Sequence, residues 1–544
     1  MESQPVTLAQ ALAIAVQHHQ SGRLAEAEGI YRRILAGNPN HADALQLLGT
    51  LLGQKGDLRG GEDLLRKSVA IRPDSAWAYL NLGEFCRRQG RPAEALATIM
   101  ESIRYRPTAT AYENMAMALR DLRCDEAAMD ALRTARKFDP NFSPAGGAQA
   151  IDQWRKQLQM TELNDARECV ALCAAFTNLH RYNDAIAAAE RAIALQPAMS
   201  DPYINLGWLY SLVGRLDDAA AACERAIALN RQDPAAHLNL GVLRLLQGDF
   251  SRGWPLYEFR KKCPGFNFAK YAQPTWDGRP LDGKRILLWF EQGLGDTIQF
   301  LRFVPEVAAR GGKILLSVQP ELRRLISERD DIEQFVDPGV APPAFDVQCS
   351  LLSLPLVLAT TPDTIPAKTP YISPPEDLAG KWAERMKPVR DQFRVGLSWA
   401  GRPGHINDAN RSMQLKDLAP LASAGATFIS LQKWKTGLTM SELDPSMKLI
   451  DWTAELTDLA DTAGLIANLD LVISVDSAVA HLAGAMGVPV WLLLPKAPDW
   501  RWLLDREDSP WYPTMRLFRQ ETLGDWTKPV NRMAGEIAAL AAAR

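Results

Sequence analysis

Residues 469–494 read LDLVISVDSAVAHLAGAMGVPVWLLL, and this stretch decides the fold of the second half of the chain. The apolar run Leu469 to Val475 has the length of a buried strand. Asp476 and Ser477 follow it, residue types that start helices by accepting from free backbone N–H groups. Ala478 to Met486 continues as a helix, and Val488 to Leu494 is a second apolar strand. Strand, helix and strand in this order make a βαβ unit, hence a parallel sheet covered by helices. Asp470, Asp476 and His481 interrupt the run, which excludes a membrane span here.

Similar texture extends upstream. Arg394 to Trp399 and Thr427 to Leu431 read as strands of the same unit, residues 390–527, and a helical tail closes the chain over 528–544. A proline-rich passage, Pro362 to Pro375, separates this unit from an earlier one, 284–375. There the strand Arg285 to Phe290 leads through a glycine loop into an amphipathic stretch, Thr297 to Arg310, and a strand from Ile314 to Val318. The expectation is two Rossmann-like halves, the first one small, with a cleft between their strand ends where ligands bind. Residues 263–283 form a turn-rich connector, marked by Trp276-Asp277-Gly278 and Leu281-Asp282-Gly283.

The first half of the chain is periodic. Pro39, Pro73 and Pro107 recur every 34 residues, and Pro140 follows at 33. Leu82-Gly83, Leu206-Gly207 and Leu240-Gly241 mark a second recurring position, and Ala27, Ala95, Ala185 and Ala219 a third. Small residues let two helices of a pair approach, and the proline ends the second. The pattern resembles the tetratricopeptide repeat and implies an α-helical solenoid over residues 1–262. Pro197 falls 57 residues after Pro140, so an irregular insertion is expected near 141–165. Asn81, Asn114, Asn205 and Asn239 share one repeat position. Such amides either bind the backbone of an extended acceptor polypeptide or hydrogen-bond within the repeats.

Composition excludes little. The apolar fraction is 47%, the charged fraction 23% and the net charge −3, which is ordinary for a globular protein and gives no support to nucleic-acid binding. Seven cysteines without a C-x-x-C pair suit core packing in a reducing compartment. Residues 1–10 lack the profile of a secretory signal, so a cytoplasmic location is expected.

Two loops carry chemistry. Gly293-Leu-Gly295-Asp296 joins a strand to a helix but completes neither a dinucleotide fingerprint nor a P-loop. Asp296 is placed either as a general base facing the cleft or as a helix cap. In the second loop, Ser477 and Ala478 leave the helix start open to a diphosphate, and His481 stands one turn further on. Arg411 follows the strand that opens the second unit and suits a phosphate clamp, with an outward salt bridge as the alternative. His405 is a lesser candidate. Trp500 and Arg501, in Asp-Trp-Arg-Trp, combine a flat face with a cation suited to a base or sugar, and surface packing explains them equally well. No Asp-x-Asp occurs in this half, so no metal site and no cofactor is expected.

GLGDTIQFLRFVP (293–305) and VISVDSAVAHLAGAMGVPVWLLL (472–494) resemble the ADP-heptose lipopolysaccharide heptosyltransferases, inverting and metal-independent enzymes of the GT-B fold. The resemblance implies that Asp296 activates the acceptor and that Ser477, Ala478 and His481 hold the donor diphosphate, with Gly293 and Gly295 on the acceptor side. Ser477 and Ala478 stand where that family has Thr and Gly. The whole plan is similar to bacterial tetratricopeptide glycosyltransferases, flagellin glycosyltransferases among them, through GWPLYEFR (253–260), WFEQGLGDTIQF (289–300), HINDANRSMQL (405–415) and DSPWYPTMRLF (508–518). In plan it is also similar to protein O-GlcNAc transferase. This likeness implies transfer from a nucleotide-sugar co-substrate to a protein Ser or Thr hydroxyl, the acceptor, flagellin among the candidates, being held by the repeats. The alternatives are a repeat scaffold with a dead transferase half, or a glycan transferase that uses its repeats for assembly.

Overall fold

The computed structural model describes residues 7–122, 124–139, 165–264, 270–401, 407–433 and 447–543. The expected insertion near 141–165 falls almost wholly outside them, as does His405. The chain divides into two compact units, 1–209 and 210–544.

Fourteen helices among the described residues form the repeats, from Leu8–Gln20 to Phe250–Tyr257. The second helix of a pair ends two residues before its proline, at Gly37, Ile71, Tyr105 and Leu195. Pro39, Pro73, Pro107 and Pro197 therefore punctuate the helices from outside. Close packing explains the small residues. A Cβ on Gly83 would meet Ile99 at 2.5 Å and the Ala95 carbonyl at 3.2 Å, and Ala27, Ala95 and Ala185 are fully buried. Hydroxyls tie the two helices of a pair together and recur at the repeat period. Ser68 donates to the Ala42 carbonyl at 2.9 Å and Ser102 to that of Ala76 at 2.8 Å. Gly56 and Gly90 take positive φ, 94° and 75°, in the tight turns that a β-carbon would strain.

The second unit begins within the repeats. Helices Leu216–Leu229, Pro234–Leu246 and Phe250–Tyr257 belong to the same compact unit as the α/β half. The cause is apolar: Phe250, Trp254 and Tyr257 are buried in the same core as Trp500 and Trp511.

Two parallel sheets follow. The first contains β1 (Arg285–Trp289), β2 (Lys313–Ser317), β3 (Gln334–Val336) and β4 (Val347–Ser350), in the order β3-β2-β1-β4. The second contains β5 (Arg394–Ser398), β6 (Thr427–Ser430), β7 (Leu449–Ile450), β8 (Leu471–Val475), β9 (Val490–Leu494) and β10 (Met515–Arg519), ordered β10-β9-β8-β5-β6-β7. Read from β7, the second order is 3-2-1-4-5-6, that of a complete dinucleotide-type sheet, and the first is its truncated version. In each sheet the order reverses beside one pair of strands, β1 with β4 and β5 with β8. Loops leaving the carboxyl ends of those strands frame the ligand crevices of such folds.

The amphipathic stretch Thr297 to Arg310 is not one continuous helix. Helix α1 (Leu294–Phe300) gives way to a tight turn at Leu301–Phe303 and a short helix Val304–Ala308, whose second residue is Pro305. Helix α2 (Ala478–Ala485) follows β8, and the closing helix α3 (Thr527–Ala542) buries Val530, Met533 and Ile537.

Candidate active site

Helix α1 of the first half lies directly against α2 of the second. Gly295 makes this approach possible: a Cβ there would sit 2.9 Å from His481 Cδ2 and 3.5 Å from Ala478 Cα. Gly295 is thus a packing residue at the junction of the halves, and it brings Asp296 beside the Asp476–His481 loop.

Asp296 is both cap and junction. Its Oδ2 accepts from the Gly293 N–H at 2.8 Å, closing the start of α1. Its Oδ1 accepts from Arg501 Nη2 at 2.5 Å. Arg501 also donates to Gln299 Oε1 at 2.6 Å and Asp499 Oδ1 at 2.8 Å. Burial opposes its charge, but Asp499 and Asp296 more than offset this and push its pKa up. A charge so enclosed is stable only with its partners in place.

The second loop converges on the same point. Ser477 turns its hydroxyl to Ser474 (3.0 Å) and does not cap α2, so no side chain closes that helix start. Arg411 points inward. Its Nη1 donates to the Asp476 carbonyl at 3.1 Å, its Nε to Asp408 at 3.3 Å, and its guanidinium covers Gly401. The salt bridge considered for Arg411 is formed, with Asp408 three residues before it, and it is half-buried and does not point outward.

His481 corrects an expectation. It is 4% exposed and not on an open face. Its Nδ1 is 2.9 Å from the Tyr512 hydroxyl, its ring stacks on Trp502 at 5.4 Å, and its Nε2 is 3.8 Å from Asp476 Oδ1. Burial, then the charges of Arg501, Arg302 and Arg411, hold its pKa well below the usual histidine value. His481 is neutral at pH 7. Asp476 moves the other way: burial, then repulsion from Asp499, pushes its carboxyl up to about 6.

Trp500 is a second correction. It is 2% exposed, with Trp254 at 5.2 Å, Tyr257 at 5.7 Å and Trp511 at 6.0 Å, so neither face is left for a base or sugar. Asp476, read from the sequence only as a helix start, joins the cluster, as do Asp499 and Tyr512, which were not singled out. Only the DSPWYPTMRLF segment hinted at Tyr512, and the tertiary approach of β9 and β10 supplies the rest. An open depression of about 480 Å³, lined by Leu246, Gln247, Leu503 and Asp508 among others, involves none of these residues.

The asparagines sit mostly on repeat partners. Asn81 Nδ2 donates to Thr50 Oγ1 at 2.9 Å, and Asn205 bonds the Cys173 thiol. Asn239 also has a partner, and Asn114 is half-buried.

Two Rossmann-type sheets meeting at a Gly-x-Gly-Asp helix and an Asp-Ser-x-x-x-His helix define a glycosyltransferase fold. The glycosyltransferase family 9 (heptosyltransferase) pattern matches residues 444–494, and tetratricopeptide patterns match 12–76, 64–97, 175–234 and 204–253. The chain combines tetratricopeptide repeats with a glycosyltransferase domain that is similar to family 9 over residues 444–494. Protein FlbA of Caulobacter vibrioides is 24% identical over 570 residues, covering 99% of this chain and 91% of FlbA. A family 9 glycosyltransferase from Veillonella parvula is similar in structure at 12% identity, covering 49% of this chain and 100% of that one, with a TM-score of 0.37. YrrB, described as a TPR protein with an unusual peptide-binding site, is similar at 15% identity over 38% of this chain and 95% of its own, with a TM-score of 0.20. No helix among the described residues is long and apolar enough to cross a membrane.

Proposed function

We propose that this chain moves a sugar, with inversion and without a metal ion, from a nucleotide-sugar donor to a Ser or Thr hydroxyl of a protein held by its repeats. One observation carries the reading: α1 and α2 meet so that Asp296 stands beside the open start of α2, with Arg411 bonded to the residue that precedes it. The acceptor hydroxyl gives its proton to Asp296 as its oxygen bonds to the anomeric carbon. The anomeric carbon–phosphate oxygen bond breaks, and the nucleoside diphosphate leaves with the electron pair. Backbone N–H groups at Ser477–Ala478 and the Arg411 guanidinium receive the developing charge. The neutral His481 contributes hydrogen bonding and shape.

The whole-length similarity to FlbA supports looking first at flagellin as the acceptor. Binding of the acceptor by the repeats would raise its effective concentration at the transferase domain. A thermal-shift screen of the full chain against ADP, UDP, GDP and CMP tests donor binding, and one of them is expected to stabilise it. Incubation with labelled nucleotide sugars in cell extract, followed by mass analysis of modified proteins, tests the acceptor. Label found only in glycan or lipid would overturn the protein acceptor, and no stabiliser together with no transfer would overturn the enzyme.

A further inference from the structure

The carboxyl-end crevice of the first sheet, between the loops after β1 and β4, is where a doubly wound domain holds its own ligand. Here it is filled by the chain. Arg260, from the Glu258–Lys262 turn that follows the last repeat helix, is fully buried there. Its Nε and Nη2 donate to both oxygens of Glu291, each at 2.8 Å, and Nη2 also reaches Ser353 Oγ at 3.0 Å. Nη1 donates to Glu258 at 2.6 Å and to the Tyr257 carbonyl at 3.1 Å. Glu291 belongs to the loop after β1 and Ser353 to the segment after β4. Lys261 completes the set by donating to Glu258 and Ser353 at 2.8 and 2.7 Å. Two cations meet two carboxylates, so the buried charges balance.

A buried ion pair of this kind adds little net stability over apolar residues of like size, because both charges lose their water. What a two-pronged guanidinium–carboxylate contact does supply is a fixed geometry. Glu291 lies five residues before Asp296, and between them the Gly293 N–H bonds Asp296 and the Thr297 N–H bonds the Gly293 carbonyl. The same turn reaches the other side of the site through Tyr257, packed on Trp500, the neighbour of Arg501. Both partners of the Asp296–Arg501 pair are therefore braced from residues 257–260.

We propose that Arg260 is a positioning residue for glycosyl transfer: it occupies the first sheet's ligand crevice and, through Glu291, fixes the loop that presents Asp296. The proposal rests on the reading of Asp296 as the acceptor-side base.

Hydrogen exchange on the full chain tests it. Arg260→Gln leaves Glu291 buried and unpaired, so the double variant Arg260→Gln/Glu291→Gln, which removes both charges, guards against a folding failure. Exchange of the 291–297 amides should rise at least about tenfold in the double variant, the scale of losing charged hydrogen bonds, while β8 stays protected. Arg260→Lys keeps the charge but not the fork and should give a smaller rise. With the donor that the wild-type chain consumes, the double variant should lose turnover while its donor KM holds. Unchanged exchange over 291–297 in a folded double variant overturns the proposal and leaves the transferase reading intact. So does a loss confined to donor KM. Raised exchange with turnover lost also in Asp296→Asn supports both; raised exchange with Asp296→Asn fully active overturns the reading of the base, and with it this role for Arg260.

Discussion

Arg501 Nη2 stands 2.5 Å from Asp296 Oδ1, and this contact joins the second half of the catalytic domain to the first. It makes the acceptor side depend on the donor side. An acceptor hydroxyl that hands its proton to Asp296 meets a carboxylate already oriented by a guanidinium and by the Gly293 N–H. Such preorganisation is what a transfer reaction needs where charge develops.

Asp296→Asn keeps an oxygen for the Gly293 N–H but removes the proton acceptor. Turnover should fall by roughly 10² to 10⁴ with nucleotide affinity nearly unchanged. Steady-state kinetics and calorimetry on the same preparation check it. Near wild-type turnover would leave Asp296 only the cap of α1.

Gly295→Ala places a methyl 2.9 Å from His481 Cδ2, on a face where backbone also stands close. The halves must part or His481 must turn, at about 1–3 kcal/mol in stability. Turnover should fall together with the melting temperature. An unaltered melting curve would mean that the junction of α1 and α2 yields easily.

Asp476 carries a pH signature. Its folded pKa is about 6, against about 3.9 for an unfolded aspartate. The folded state therefore binds more protons between those values, and this group's effect is to lower stability as pH rises through roughly 4 to 6. His481 acts in the opposite sense, because its depressed pKa penalises folding below about 6.5. Asp476→Asn removes the first effect, together with the carboxylate that faces His481 Nε2. Its melting temperature should pull ahead of wild type as pH rises from 4 to 6 and hold that lead above, a gain on the order of 2 kcal/mol. A lead that is constant from pH 4 to 7 would show that Asp476 titrates normally.

How much of this was legible in the sequence depends on whether the signal is local. The proline and glycine period is local, since each helix pair repeats the same close contact, and Gly83 against Ala95 bears it out. Leu469 to Leu494 announces its own strand-helix-strand. By contrast β3, β4, β7 and β10 span two to five residues each, too short for alternation to show. The burial of Trp500 depends on helix 250–257, remote in sequence, and that of His481 on Trp502 and Tyr512, which lie beyond β9. Nor does any pattern tell an arginine that clamps a ligand from one that, like Arg501, braces a carboxylate.

The repeat asparagines have a separate expectation. Asn81 already donates to Thr50, so Asn81→Ala should lower stability by about 1 kcal/mol whatever the groove binds. Asn205→Ala should do likewise by releasing the Cys173 thiol, whose pKa burial pushes up to about 12. Acceptor binding should fall further when Asn81, Asn114, Asn205 and Asn239 are changed together. Binding by a folded quadruple variant at the wild-type level would confine these amides to holding the repeats together.

The donor side can be separated from all of this at Arg411. Its guanidinium donates to the Asp476 carbonyl at 3.1 Å and covers Gly401, while Asp408 takes Nε. Arg411 therefore holds the residue before Ser477, and on the proposed reading it stands where a leaving diphosphate would meet the uncapped start of α2. Arg411→Ala should weaken binding of the stabilising nucleoside diphosphate by about tenfold or more, the value of one charged contact. Arg411→Lys should recover part of that, since a point charge replaces a fork. Ser477→Phe should block the same approach by bulk and leave Arg411 in place. Calorimetry with the diphosphate on folded variants reads all three. If Arg411→Ala and Ser477→Phe both bind as wild type does, the diphosphate does not sit at the start of α2, and the donor must be sought elsewhere along the second sheet.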